Sequence, residues 1–238
     1  MLPSDDEMAK MSDNSLLGLY WNYINRLQVL CKNVIRLGSL WDGGKEICAD
    51  EPYRPRPPCT VYSFGIGNNF EFDEAVVNEF GCNVYCFDPS INKTSQQISD
   101  HIWFYDWGLG SKDWVTSTKW QIKTLHSIRK KLGHLDKPID ILKMDIEGDE
   151  WNSIPQMIAT RSLDDIQQIA METHFYAPGI GSENVPGRRQ LPVLRELYDA
   201  GFRIFMRDRN LVSARRIDEK VNKKYVTALN EISLIKVH

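Results

Sequence analysis

Apolar side chains near the N-terminus recur at Leu16, Leu17, Tyr20, Ile24, Leu27, Cys31 and Val34, in steps of three and four. That spacing predicts an amphipathic helix over residues 15–37, with Arg26, Lys32 and Arg36 toward water. The next segment, Trp41-Asp42-Gly43-Gly44-Lys45, reads as a tight polar turn whose glycines permit positive φ. Four prolines within residues 52–58 favour an extended connector. Residues 1–58 therefore read as an N-terminal helical extension with a proline-rich connector, packing on a domain that spans 59–238.

From Thr60 the period changes. Short apolar runs at 61–65, 83–87 and 102–105, one that starts at Ile139 and is ended by Gly148, and a longer one at 166–175 read as strands. Helical spacing falls between them at 72–80, 91–99, 123–132, 152–159 and 188–200, with Gly133 and Gly201 as stops. Alternation of this kind predicts an α/β fold, a mostly parallel sheet with helices on both faces. Two late apolar runs, 202–207 and 228–237, have no helix between them and predict a hairpin with an antiparallel last strand.

The net charge of the 238 residues is −3, and no long basic run marks a nucleic-acid partner. No stretch of ~18 apolar residues predicts a membrane span. The acidic start, Met-Leu-Pro-Ser-Asp-Asp-Glu, lacks the features of a signal peptide. Five cysteines occur without a Cys-x-x-Cys pair, which leaves zinc poorly supported. Cys86 lies in an apolar strand. Cys48 and Cys59 flank the proline-rich loop and are placed to bridge. A bridge there predicts a secretory lumen such as the Golgi, and free thiols predict the cytoplasm.

The most informative stretch is Ile139-Asp-Ile-Leu-Lys-Met-Asp-Ile-Glu-Gly-Asp-Glu150. Side chains alternate across a strand, so Lys143, Asp145 and Glu147 are expected on one face, with Met144 and Ile146 on the other. A cation and two carboxylates at the end of an apolar strand are costly to bury unpaired, so they line a site or pair at an edge. The strand at 61–65 runs into Gly65-Ile66-Gly67-Asn68, where glycines let backbone approach a ligand. Asp88 follows about 20 residues past Gly67, the position of an acid that accepts from ribose hydroxyls. The third glycine of a dinucleotide fingerprint is replaced by Phe70. A nucleoside ligand without a pyrophosphate, S-adenosyl-L-methionine, suits that pattern. Glu172 and His174 share a face at the end of the 166–175 strand. His174 is the first candidate base, because its ordinary pKa lies near working pH, and Asp145 is the second. Lys143 would steer an acceptor oxygen or hold a carboxylate. Asp145, Glu147, Glu172 and His174 also form a candidate set for Mg²⁺ or Mn²⁺. Trp107 and Trp114 lie in an aromatic stretch suited to stacking on sugar rings.

The segments Val-Tyr-Ser-Phe-Gly-Ile-Gly, Gly-Cys-Asn-Val-Tyr-Cys-Phe-Asp-Pro-Ser and Ile-Asp-Ile-Leu-Lys-Met-Asp-Ile-Glu-Gly-Asp-Glu-Trp occur in this order. Together they resemble FkbM-type methyltransferases, and more closely the animal methyltransferase-like protein 24 group. Trp-Asp-Gly-Gly-Lys-Glu-Ile-Cys, from Trp41, and Met-Glu-Thr-His, from Met171, are similar to that group too. The resemblance implies a Rossmann-like class I S-adenosylmethionine-dependent methyltransferase, with a seven-stranded sheet whose last strand is antiparallel. It implies O-methylation and leaves the acceptor open; the loop tryptophans Trp107 and Trp114 make a sugar or glycan hydroxyl the preferred acceptor class. Gly65, Gly67, Asn68, Asp88 and Asp145, with Gly44 and Lys45, are the expected cofactor residues. Glu172, Trp107 and Trp114 are the expected acceptor residues. The alternatives are a non-catalytic Rossmann-like binding module, or a methyltransferase for a non-sugar small molecule or protein.

Overall fold

The computed structural model describes residues 2–174, 187–210, 216–217, 226–227 and 229–237. In chain order the first elements are helices α1 (Asp5–Ala9) and α2 (Asp13–Ile24) and strands β1 (Val34–Leu37), β2 (Lys45–Cys48) and β3 (Thr60–Phe64). Helix α3 (Glu71–Phe80) leads to β4 (Asn83–Phe87), β5 (Gln96–Ser99), β6 (Ile102–Tyr105), β7 (Trp107–Leu109), β8 (Trp114–Val115) and β9 (Gln121–Lys123). Then come α4 (Leu125–Leu132), β10 (Ile139–Met144), α5 (Glu150–Ala159), β11 (Ile166–His174), α6 (Gln190–Asp199) and β12 (Phe202–Arg209). The chain closes with β13 (Arg216–Ile217), β14 (Val226–Thr227) and β15 (Leu229–Lys236).

Eight strands form the main sheet, in the order β12-β15-β11-β10-β3-β4-β6-β5. The run β11-β10-β3-β4-β6 is parallel, and β15 lies antiparallel between β11 and β12. This is the Rossmann-like arrangement that the resemblance implies, with an antiparallel last strand and one added edge strand, β5. The central strands read as apolar runs because helices cover both faces. Tyr62, Leu142, Met144, Ile169 and Met171 pack against apolar side chains of α2, α4, α5 and α6. Val61, Val84, Cys86 and Ile141 pack on the opposite face against Phe72, Val76 and Phe80 of α3, together with Leu37 and Ile47 of the β1–β2 hairpin. Order reverses between β3 and β10, whose chains depart to opposite sides, and that switch point positions the site.

Several sequence expectations are corrected. The helix expected over 15–37 stops at Ile24. Beyond it, Gln28 N–H donates to the Ile204 carbonyl at 2.7 Å, and the Gln28 side chain accepts from Ile204 N–H at 3.0 Å. A distant strand thus supplies backbone partners beyond the helix end, and residues 34–37, expected as helix, are instead the first strand of a hairpin with residues 45–48. Residues 96–99, expected as helix, extend antiparallel along the open edge of β6. The expected Cys48–Cys59 bridge does not form. The disulfides are Cys31–Cys48 and Cys59–Cys82, with Cys86 a buried thiol. Pairing of β1 with β2 brings Cys48 beside the segment that holds Cys31, whereas Cys59 and Cys82 precede the adjacent strands β3 and β4. The expected strand ends at Phe175 and Ala228 lie outside the described residues.

Candidate active site

Beyond the carboxyl ends of β3 and β10 opens a cavity of about 940 Å³, near the upper end for small-molecule sites. Its glycine-loop end is built locally. Gly65 adopts φ +72°, and a Cβ there would lie 1.6 Å from the Asp145 carbonyl oxygen. Only glycine permits that approach where the two strands part. Gly67 has φ +56° and meets nothing within 4 Å of where a Cβ would lie, so its constraint is conformational and its surroundings are open. Gly67 N–H donates to Asp88 Oδ2 at 2.8 Å, while Ser90 donates to Asp88 Oδ1 from its N–H at 2.8 Å and its hydroxyl at 2.6 Å. Asp88 thereby ties the glycine loop to the end of β4 and retains lone pairs toward the cavity. Ile66, Phe87 and Leu109 line the wall nearby. Backbone amides, a carboxylate acceptor and apolar walls in one place fit a nucleoside cofactor.

The opposite end is assembled from distant segments. Lys143 and Asp145 both reach the cavity, and Ile146 between Asp145 and Glu147 packs against the core cluster while also lining the cavity. Lys143 Nζ donates to the Gly65 carbonyl at 3.1 Å and the Phe64 carbonyl at 3.5 Å. That bond holds the end of β3. Beneath it lies Asp73 of α3, whose carboxyl is raised to about 6 by burial, with Lys143 pulling the other way. Asp145 Oδ1 lies 3.9 Å from His174 Nε2, and Asp145 Oδ2 lies 3.8 Å from Lys45 Nζ. Burial opposes ionisation of Asp145, but Lys45 and Lys143 hold its carboxyl below the usual range. Burial raises Glu172 to about 9, helped by the charges of Asp145 and Glu231. Asn210 donates from Nδ2 to Glu172 at 2.7 Å and to Asp42 at 3.1 Å. Lys45, 1% exposed, pairs with Glu231 at 2.8 Å.

His174 and Glu172 reach the cavity together from β11. Burial would depress His174, but its hydrogen bond and ion pair with Glu150, followed by the charges of Glu172 and Asp145, raise it to about 9. The expectation of an ordinary histidine pKa is thereby corrected, and His174 is an imidazolium at neutral pH. Glu147 also departs from expectation. Strand β10 ends at Met144, and Glu147 takes a left-handed φ of 57°, leaving its side chain 78% exposed. From that turn its Oε2 reaches within 3.7 Å of His174 Nε2. Regular strand alternation does not place it.

Ligand atoms of Asp145, Glu147 and His174 lie within 4.8 Å of one another, while Glu172 groups instead with Asp42 and Glu231. The expected four-residue metal set is therefore split. Lys45 and the His174 imidazolium already counter much of its charge. Gly44 is not on the cavity wall. A Cβ there would lie 2.1 Å from the Ser39 carbonyl, so Gly44 serves the hairpin turn. Lys45 supports Asp145 from behind, and Asn68, at φ 63°, shapes the loop without lining the cavity. Trp107 packs against Tyr105 and stacks on Phe87, outside the cavity lining, whereas Trp114 of β8 and Trp120, just before β9, line the cavity. Asp42, Glu150, Asn210, Glu231 and Trp120 were not among the sequence-predicted site residues. Glu150 ends the charged motif and Asp42 sits in the Gly-Gly turn, so those two carried a local signal.

Residues 10–223 match the family Methyltransf_22, described as a methyltransferase domain, and the chain belongs to that family. It is 28% identical over 204 residues to "Probable methyltransferase-like protein 24" of Homo sapiens, covering 78% of this chain and 55% of that protein. The Rattus norvegicus protein of the same name is likewise 28% identical over 204 residues, covering 78% of this chain and 56% of its own length. The chain thus spans about half the length of the curated relatives it matches. Among solved structures, the Methanococcus jannaschii fibrillarin pre-rRNA processing protein aligns with a TM-score of 0.43 and 9% identity, over 79% of this chain and 69% of that one. A fibrillarin/Nop5p complex chain aligns with a TM-score of 0.45 and 14% identity, over 89% and 98%.

Proposed function

We propose that this methyltransferase-domain chain is an FkbM-type S-adenosylmethionine-dependent O-methyltransferase acting on a sugar or glycan hydroxyl. The observation that carries this reading is a single cavity at the β3/β10 switch point, which joins the Gly65–Gly67 loop and Asp88 to Asp145, Glu172 and His174. Bound there, S-adenosylmethionine supplies an electrophilic methyl group on a sulfonium. Gly65, Gly67 and Asp88 hold the nucleoside part, and Asp145 favours positive charge beside it. His174 takes the acceptor's proton at Nε2 once that atom is neutral, so turnover rises with pH toward about 9. Trp114 and Trp120 offer flat apolar faces at the cavity wall, and Asp42, Glu147 and Asp149 offer hydrogen-bond acceptors for hydroxyls.

The same reading places the enzyme in an oxidising lumen such as the Golgi. Its support is the pair of disulfides, Cys31–Cys48 and Cys59–Cys82. Among the described residues no helix is long and apolar enough to cross a membrane. The test is calorimetry with S-adenosylmethionine, followed by labelled-methyl transfer to a panel of neutral glycans. Expected are saturable binding and transfer to at least one hexose, unchanged by exhaustive EDTA. No heat at millimolar cofactor sinks the methyltransferase reading. Binding without transfer to any glycan sinks the sugar acceptor alone.

A further inference from the structure

Glu150 has no solvent exposure, yet it carries a carboxylate. A charge buried that deeply persists only with strong partners. Oε1 accepts from His174 backbone N–H at 2.9 Å and lies 3.0 Å from His174 Nδ1, while Oε2 accepts from Gly148 N–H at 2.9 Å. Glu150 is also the first residue of α5, where the helix terminus favours negative charge. Next to it, Trp151 Nε1 donates to the His174 carbonyl at 2.7 Å. Main chain and ring of His174 are thus both gripped from the start of α5.

We propose that Glu150 is a positioning residue that holds His174 with the proton on Nδ1 and presents Nε2 to the cavity as the proton-accepting atom. On that side Nε2 faces Glu172 at 3.6 Å, Glu147 at 3.7 Å and Asp145 at 3.9 Å. Farther back stand Lys45 of β2 and Glu231 of β15, paired with each other, and Asn210, whose amide donates to both Glu172 and Asp42. Nδ1 has one partner and is spoken for, so only Nε2 can exchange a proton with a ligand. When an acceptor hydroxyl reacts, its oxygen bonds the methyl carbon and its proton moves to Nε2. The electron pair of the broken carbon–sulfur bond stays on sulfur. Glu150 stabilises the imidazolium that results, and the proton later passes to solvent.

This last step rests on the methyltransferase reading, whereas the tautomer and titration of His174 do not. Nitrogen–proton correlation NMR on the ligand-free wild-type chain reads the neutral tautomer directly above the titration midpoint. Nδ1–H is expected, and Nε2–H overturns the proposal without any variant. In Glu150→Gln the His174 midpoint should fall by about one pH unit or more. The rising limb of kcat against pH should move with it, while kcat drops by about 10- to 100-fold and cofactor KM changes little. A folded Glu150→Gln protein with an unmoved midpoint, or with a lower kcat on an unmoved limb, would leave Glu150 a purely structural residue. If the wild type methylates nothing, the proposed function fails, and the tautomer still decides this inference.

Discussion

Gly65, Gly67 and Asp88 form one end of the cavity from two adjacent parallel strands, and nearly all of their geometry is backbone geometry. At the other end Lys45, Asp145, Glu172, His174, Asn210 and Glu231 arrive from β2, β10, β11, β12 and β15, and their geometry is charge against charge. Local turn chemistry decides the first end, so its failure mode is steric. The second depends on burial and on partners far away in sequence, so its failure mode is a change of protonation. On the proposed function, that contrast is what a cofactor loop and an acceptor centre would require. One must present a rigid surface, and the other must hold and release a proton.

The largest effect should come from Gly65→Ala. The new Cβ would meet the Asp145 carbonyl at 1.6 Å, at a φ of +72° that disfavours any side chain. Strain of that kind should destabilise by ~3–5 kcal/mol, lower the melting temperature by about 10 °C and abolish cofactor binding. A melting point within a couple of degrees of wild type would show that the strands part more freely than the steric account allows.

Asp88→Ala is the intermediate case. It removes the acceptor of three hydrogen bonds at the loop and should cost about 10- to 100-fold in cofactor affinity by calorimetry. The His174 midpoint should stay put. Movement of that midpoint would mean the two ends are electrostatically one.

The smallest effect concerns pH. Glu172 and His174 both have folded-state pKa values raised to about 9, above their usual 4.5 and 6.5. The folded chain therefore holds excess protons in that window. Their contribution to stability is full at low pH and is lost as pH rises through about 9. Glu172→Gln keeps the neutral shape and removes one of the two groups. The fall of stability with pH should flatten by up to ~1.4 kcal/mol per pH unit, read from denaturant melts at a series of pH values. An unchanged slope would mean that Glu172 is ionised at neutral pH in the folded state.

The sequence carried the order of strands and helices because each element has its own period. It also carried the stop of α4 at Gly133, which sits at φ 69°. Lys143 with Asp145, and Glu172 with His174, were legible as same-face pairs for the same reason. The premature end of α2 was not legible. Its competitor is the backbone of Ile204, 176 residues from Gln28. The strand at Gln96–Ser99 was equally hidden, because its four exposed residues carry no apolar pattern and only the open edge of β6 orders them. Cysteine pairing followed strand pairing rather than proximity along the chain.

Taken alone, the amino-acid order determined the α/β alternation, the glycine loop, the acid at the end of β4 and the identity of the charged groups at the strand ends. Those features depend on backbone preferences within a few residues. Tertiary structure decided which charges meet and which of them stay charged. It drove Lys45 into the carboxylates, turned Glu147 out of its strand and set His174 between Glu150 and the cavity. Protonation depends on desolvation and on charges a few ångströms away, and neither exists until distant segments pack.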